Sequence, residues 1–253
     1  MIPCLDVKGG RVVKGVRFQS LRDAGDPAEC AQGYAEAGGD EIVLLDIAAT
    51  EEERSTFLGV VREVADRLFV PFSVGGGVRQ LDDASRLLGA GADRVTVNSA
   101  AVRHPDLVDQ LANRYGSNAV IVAIDAAKRP GGAGTGYEVF VRGGKDATGV
   151  EAIGWAREAE ARGAGEILLT SKDRDGTLVG YDLDLLGAAS LAVRVPVVAS
   201  GGAGKLEHLA DAIDAGADAV LAASIFHDGT FTIRQAKDAL RGRGIAVRMT
   251  EGA

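Results

Sequence analysis

The chain has 253 residues, 46% hydrophobic and 25% charged, the make-up of a folded protein with a large core rather than of a disordered one. Its formal net charge of -8 argues against a broad surface for nucleic acid or anionic membrane, since binding a polyanion needs clustered Lys and Arg; phosphate recognition must be local. No apolar run approaches the roughly eighteen residues of a membrane span, and Met1-Ile2-Pro3-Cys4-Leu5-Asp6 lacks a charged start and a cleavage site, so a cytoplasmic protein is expected.

Along the chain, β-rich runs fall at residues 2–6, 41–46, 71–74, 94–98, 119–125, 166–170, 196–200 and 219–223. Several are continuous Val/Ile/Leu runs without alternation, as expected of strands covered on both faces in a parallel sheet. Amphipathic patterns predict helices over 27–37, 51–68, 81–90, 105–115, 150–162, 183–191, 206–215 and 233–241. Eight such β/α pairs in about 250 residues predict one (β/α)8 barrel domain spanning 1–253. Two stretches break the rhythm: 8–26 after the first strand and 126–148 after the fifth, the latter glycine-rich and then hairpin-like over 137–141. Long loops after barrel strands serve the catalytic face, at the C-terminal ends of the strands.

The sequence repeats at an offset of 125 residues. Val70-Pro71-Phe72-Ser73-Val74-Gly75-Gly76-Gly77 aligns with Val195-Pro196-Val197-Val198-Ala199-Ser200-Gly201-Gly202, Ala90-Gly91-Ala92-Asp93 with Ala215-Gly216-Ala217-Asp218, and Ser99 with Ser224. A constant offset marks two copies of one half-barrel. In each copy a glycine turn follows a strand and precedes a helix, so that bare N–H groups can approach an anion. Asn98-Ser99 and Ala223-Ser224 complete the two sites one unit later. One such turn would be an ordinary connection; two symmetric ones, each with a serine, favour a ligand with two phosphates.

Three strands end in aspartate: Asp6, Asp46 and Asp125. An aspartate there points into the barrel mouth and needs water, a partner or a substrate. Asp6 and Asp125 open the two long loops from opposite sides and could serve as base and acid; an ion pair with Lys8 or Lys14, or a loop cap, explains them equally well. An ordinary Asp, with a pKa near 3.9, is neutral in about one molecule in a thousand at pH 7. A donor must therefore be raised by its surroundings, an effect of roughly 3–4 kcal/mol. Lys14 would favour the ionised form of Asp6, which suggests Asp6 as base and Asp125 as acid. Asp173-Arg174-Asp175-Gly176-Thr177 reads as a polar substrate loop or as an Asx-type turn. His104, His208 and His227 share no metal spacing, and Cys4 and Cys30 read as reduced structural residues, so neither a metal nor a cofactor is expected.

These residues carry a family resemblance over essentially the whole chain. Cys4-Leu5-Asp6-Val7-Lys8, Gly10-Arg11-Val12-Val13-Lys14-Gly15, Leu21-Arg22-Asp23-Ala24-Gly25-Asp26-Pro27, Gly163-Ala164-Gly165-Glu166-Ile167-Leu168-Leu169-Thr170, Asp173-Arg174-Asp175-Gly176-Thr177 and Ala199-Ser200-Gly201-Gly202-Ala203-Gly204-Lys205 resemble the cyclase subunits of imidazole glycerol phosphate synthase, a lyase of histidine biosynthesis. The resemblance implies a bisphosphate substrate, the ribulosyl formimino aminoimidazole carboxamide ribonucleotide PRFAR. Ammonia converts it to imidazole glycerol phosphate and the aminoimidazole carboxamide ribonucleotide AICAR. It implies Asp6 and Asp125 as the catalytic pair, with Lys14, in a mobile first loop, and Asp46 in support. Substrate binding falls to Gly77, Asn98 and Ser99 on one side and to Asp175, Gly176, Gly202, Ala223 and Ser224 on the other, with Thr170 and Ser200 at the strand ends between.

The resemblance also implies a glutaminase subunit docked at the N-terminal face, sending ammonia through the barrel past a ring of charges, of which Glu41, Arg94 and Glu166 are present. Family members usually carry several residues before Met1-Ile2-Pro3, including a basic member of that ring. Lys172 stands where the family commonly has an apolar residue. The sister isomerase of the same pathway, also a duplicated half-barrel with an aspartate pair, is the nearest alternative, and a non-catalytic phosphate-binding barrel that activates its glutaminase is another. The motifs at 4–8 and 200–205 favour the cyclase, and the intact aspartate pair argues against a non-catalytic role.

Overall fold

The computed structural model describes residues 1–16, 19–47, 51–129, 131 and 136–250; the side chains of 14–16, 19–22 and 51–55 lie outside it. The elements run β1 (Ile2–Lys8), β2 (Arg11–Val16), β3 (Gln19–Gly25), α1 (Pro27–Glu36), β4 (Ile42–Asp46), α2 (Glu51–Arg67), β5 (Phe72–Gly75), α3 (Leu81–Gly89), β6 (Arg94–Val97), α4 (Ser99–Arg103) and α5 (Asp106–Tyr115). They continue with β7 (Val120–Lys128), β8 (Tyr137–Val141), β9 (Asp146–Glu151), α6 (Ala152–Ala161), β10 (Glu166–Ser171), α7 (Leu183–Ser190), β11 (Val197–Ser200), α8 (Leu206–Asp214), β12 (Ala219–Ala222), α9 (Ser224–His227) and α10 (Ile233–Gly242).

Eight parallel strands pair in the order β1, β4, β5, β6, β7, β10, β11, β12, and β12 returns to β1. The sheet closes, so no barrel edge is left unpaired. The helices bury their apolar faces against its outside, where Leu5, Ile42, Val74, Val95, Val122, Ile167, Val197 and Val220 belong to one large core. Side chains of alternate register fill the inside: Ile2, Cys4, Val43, Ile121, Ala123, Leu168, Val198 and Leu221 form a second, smaller cluster. The barrel thus has a filled interior, and the polar chemistry is pushed to its two ends.

The repeat is reproduced atom for atom. β5, α3 and β6 map onto β11, α8 and β12 with every boundary shifted by 125 residues. The carboxylate of Asp93 accepts from Phe72 N at 2.9 Å, and that of Asp218 accepts from Val197 N at 2.9 Å. Ala92 N donates to Leu87 O, and Ala217 N to Ala212 O. Both halves pin the start of one strand to the start of the next through an aspartate, which is why Ala-Gly-Ala-Asp occurs twice.

All eight barrel strands expected from the sequence are present, the first and fifth running two and three residues further, to Lys8 and Lys128. Of the long loops, the first is a strand pair, β2–β3, continuing antiparallel from β1. The second is the hairpin β8–β9, with β8 antiparallel to β7 and residues 137–141 as expected. The helix expected over 150–162 starts later, because β9 extends to Glu151, whose carboxylate accepts from Gly154 N and caps α6. The short helices α4 and α9 are additional.

Candidate active site

Asp6 and Asp125 sit at the C-terminal ends of β1 and β7 with the inward register of Cys4 and Ala123. Thr170 pairs in register with Asp125 on one side and with Ser200 on the other, so a run of polar side chains, 125–170–200, lines one arc of the mouth. Asp46 ends β4 beside Val7.

Burial pushes the Asp6 carboxyl up to about 7, and the neighbouring Asp175 carboxylate adds to it. Burial likewise raises Asp125 to about 6; the amide of Asn98, donating to its Oδ2 at 3.1 Å, favours the ionised form, and Asp175 opposes it. No cation among the described side chains offsets either shift, so the ion-pair explanation with Lys8 is not what the structure contains; the side chain of Lys14 lies outside the described residues. Among the described residues Asp6 has no hydrogen-bond donor, which favours its neutral form, whereas the Asn98 amide favours the ionised form of Asp125. Asp175, expected only at the phosphate loop, is close enough to raise both.

The two glycine turns are equivalent. Gly76 and Gly77 have φ of 89° and 68°, and Gly201 and Gly202 of 86° and 109°, all left-handed. A Cβ on Gly76 would lie 2.0 Å from Asp46 O, and one on Gly201 2.9 Å from Ser171 O, the same relationship in each half. The turns thus fold tightly onto the end of the preceding strand. Beyond them Asn98 and Ala223 precede α4 and α9, which begin at Ser99 and Ser224. Gly176 has φ 72° in the turn after β10, where Thr177 Oγ1 donates to Arg174 O at 2.6 Å. That bond occupies the hydroxyl proton of Thr177.

Five features were not visible in the sequence. Asn98 serves Asp125 rather than capping α4. Tyr137 donates to Asp182 Oδ1 at 2.8 Å and Ser171 to its Oδ2 at 3.2 Å, which fastens the β8–β9 hairpin to α7 and β10. Lys172 places its ammonium 3.9 Å from the centroid of the Phe140 ring, and Phe140 is the register partner of Asp125. This cation–π contact accounts for a lysine at that position. His227 bridges Tyr34 and the carbonyl of Cys4, with Tyr34 Oη at 2.7 Å from Nδ1 and Cys4 O at 2.9 Å from Nε2; the second tie is two residues before Asp6. His208 accepts from Gly204 N and Lys205 N through Nδ1 at the start of α8.

At the opposite end of the barrel Arg94 donates to Glu41 at 3.1 Å and to Glu166 at 2.8 Å. Burial raises Glu166 to about 7 in spite of Arg94, helped by Glu41 and Asp218. Between the two ends, on the inward faces of β5 and β6, Ser73 Oγ and Thr96 Oγ1 are buried without a hydrogen-bond partner among the described residues.

Fold and mouth together define a duplicated (β/α)8 barrel of the enzyme type, with three carboxylates between two equivalent glycine turns. The comparisons agree: the family description "Histidine biosynthesis protein" matches residues 1–232. The chain is also 59% identical over 250 residues to the imidazole glycerol phosphate synthase subunit HisF of Gluconacetobacter diazotrophicus, covering 99% of this chain and 96% of that one. The chain belongs to the histidine biosynthesis protein family, within its HisF branch. No helix among the described residues is long and apolar enough to cross a membrane.

Proposed function

We propose that the chain is the cyclase subunit of an imidazole glycerol phosphate synthase and that Asp6 and Asp125 carry the proton transfers by which ammonia converts PRFAR to imidazole glycerol phosphate and AICAR. The observation that carries this reading is the pair of inward carboxyls at the mouth, with pKa values of about 7 and about 6. Condensing ammonia with a carbonyl and closing a ring expels water, so the departing oxygen must gain a proton and the attacking nitrogen must lose one. Two carboxyls that titrate near neutrality supply both, since each is a competent donor and acceptor at working pH. Asp6 gives the proton first and Asp125 takes one.

The phosphates of the substrate bind at the two glycine turns. One turn uses Gly77, Asn98 and Ser99. The other uses Asp175, Gly176, Gly202, Ala223 and Ser224, with Thr170, Ser200, Asp46 and Lys14 contacting the substrate between them. Asp175 is a poor neighbour for a phosphate while ionised, and acts through its main chain and by keeping Asp6 neutral. Ammonia comes from a glutaminase subunit, the partner that a synthase subunit requires, seated on the N-terminal face around Arg94. The unpartnered hydroxyls of Ser73 and Thr96 support a route through the barrel, because a buried hydroxyl without a partner suits a small polar molecule in transit.

The test is the absorbance change on PRFAR consumption with ammonium salt at alkaline pH and no partner subunit. Turnover supports the reading. Conversion of the isomerase substrate instead, or of neither compound, overturns it in favour of the sister isomerase or of a non-catalytic barrel.

A further inference from the structure

The β8–β9 hairpin, which follows β7, reaches sideways to the start of α4 after the adjacent strand β6, at the first glycine site. The main-chain N–H of Arg142 donates to Ser99 Oγ at 2.9 Å. Arg142 does so with φ 55°, in the left-handed region, a conformation that costs a non-glycine residue on the order of 1 kcal/mol. Gly143 and Gly144 follow with φ of 64° and 75°. Three consecutive left-handed residues, one of them an arginine, make the tight turn that closes the hairpin, with Lys145 N donating to Val141 O at 3.1 Å.

The turn is locked from both sides. The Arg142 guanidinium donates to both carboxylate oxygens of Asp146, Nη2 reaching Oδ1 at 2.7 Å. These bonds hold the Asp146 carboxyl below the usual range, and Arg103 of α4 contributes from the neighbouring helix. Further down the hairpin, Lys172 sits over Phe140 with its stem against Gly144. The hairpin is therefore anchored at once to the strand end that carries the second phosphate loop and to the helix that Ser99 begins.

A hydroxyl has one proton to donate and two lone pairs to accept with. At Ser99 the Arg142 N–H fills a lone pair, and no acceptor for the proton is found among the described residues. A donor on one side of the oxygen biases the proton to the other, towards the rim. Ser224, at the equivalent place in the second half, has no such contact among the described residues, so the dressing of the two sites is unequal. We propose that Arg142 is a positioning residue of the first phosphate site: its main-chain N–H holds the Ser99 hydroxyl as an acceptor, so that the hydroxyl proton is presented to a phosphate oxygen of the substrate. This rests on the reading that Ser99 binds phosphate.

The experiment compares Arg142→Val with Arg142→Asn. Both lose the guanidinium; asparagine adopts left-handed φ readily, whereas a β-branched residue resists it. With PRFAR and ammonium salt, Arg142→Val raises KM about five- to tenfold with kcat little changed, the pattern of lost uniform binding, whereas Arg142→Asn stays within about twofold of the parent in both. Gly143→Val, at the next left-handed position and with open space around it, disturbs the same turn independently and gives the same rise. Ser99→Ala, run alongside, raises KM at least as much as Arg142→Val. If Ser99→Ala raises KM but neither valine variant does, Arg142 has no positioning role. If Arg142→Val and Arg142→Asn rise together, the guanidinium rather than the turn is at work and the proposal is overturned. An unchanged KM in Ser99→Ala removes the phosphate reading at that site, and the proposal with it.

Discussion

The amide of Asn98 donates to the carboxylate of Asp125 at 3.1 Å, joining the residue that precedes α4 to the end of the fifth barrel strand. The two are 27 residues apart in sequence and on adjacent strands, β6 and β7. If Asn98 contacts the substrate as proposed, ligand binding at the one and protonation of the other are linked.

Asn98→Leu removes that donor at similar volume. A hydrogen bond to a charged acceptor contributes about 1.5–3 kcal/mol, so Asp125 loses stabilisation of its ionised form and its pKa rises from about 6. The acid limb of the pH profile of kcat, measured with ammonium salt, moves towards alkaline pH. An unmoved limb would mean that Asp125 is not the base seen in that profile.

Asp6→Asn and Asp125→Asn keep the shape of each carboxyl and remove its proton chemistry. Each lowers PRFAR turnover by at least about 10²–10⁴-fold, the range typical of general acid–base catalysis. Substrate affinity, read by calorimetry, stays within a fewfold. Near-normal turnover in either variant takes that residue out of the mechanism.

Asp6 also sets a trade between stability and activity. Its pKa is about 7 in the folded chain against 3.8 ordinarily, so the fold favours the neutral form. Below about pH 4 both folded and unfolded chains hold the proton and the group costs nothing. As pH rises towards 7 only the unfolded chain releases it, and stability falls until the folded carboxyl also ionises. Asp6→Asn is therefore more stable than the parent at pH 8, by about 2–4 kcal/mol, and little different at pH 4. Thermal melts at the two pH values measure this; equal differences at both would show that Asp6 is not held neutral.

At the other end of the barrel, Arg94→Met leaves Glu41 and Glu166 facing each other without their shared cation. Breaking a partly buried pair in this way costs on the order of 2–4 kcal/mol. Glutamine-dependent turnover with a partner subunit falls, whereas turnover with ammonium salt survives in the folded variant. Equal losses in both assays would speak against an ammonia route past Arg94.

Asp93→Ala and Asp218→Ala delete the same strand-to-strand bond in the two halves. Each lowers stability by about 1–3 kcal/mol, and the double variant loses close to the sum, because the sites lie in different half-barrels. Denaturant unfolding tests both points.

The barrel was legible because its strands are apolar on both faces and so appear as uninterrupted runs, such as 121–124 and 167–169. The repeat was legible because a glycine turn and an aspartate latch constrain side-chain identity twice over. β2 and β3 were not, since Arg11, Lys14, Arg22 and Asp23 break the apolar pattern of a strand. The residues around the aspartates were legible only by family likeness, and the burial of Asp6 and the reach of Asp175 were not, because both come from packing rather than from neighbours in sequence. Asn98 on Asp125, and Lys172 on Phe140, are contacts between strands and loops that nothing along the chain announces.

Burial first, and Asp175 second, raise Asp6 and Asp125, so that the Asp6 carboxyl is partly protonated at neutral pH. A bisphosphate brings further negative charge to the same place and draws in more. Filling the site therefore consumes protons from the medium, and the heat of binding should vary with the ionisation enthalpy of the buffer. On the proposed reading, substrate capture and proton uptake are then one event, and the affinity for the bisphosphate falls as pH rises.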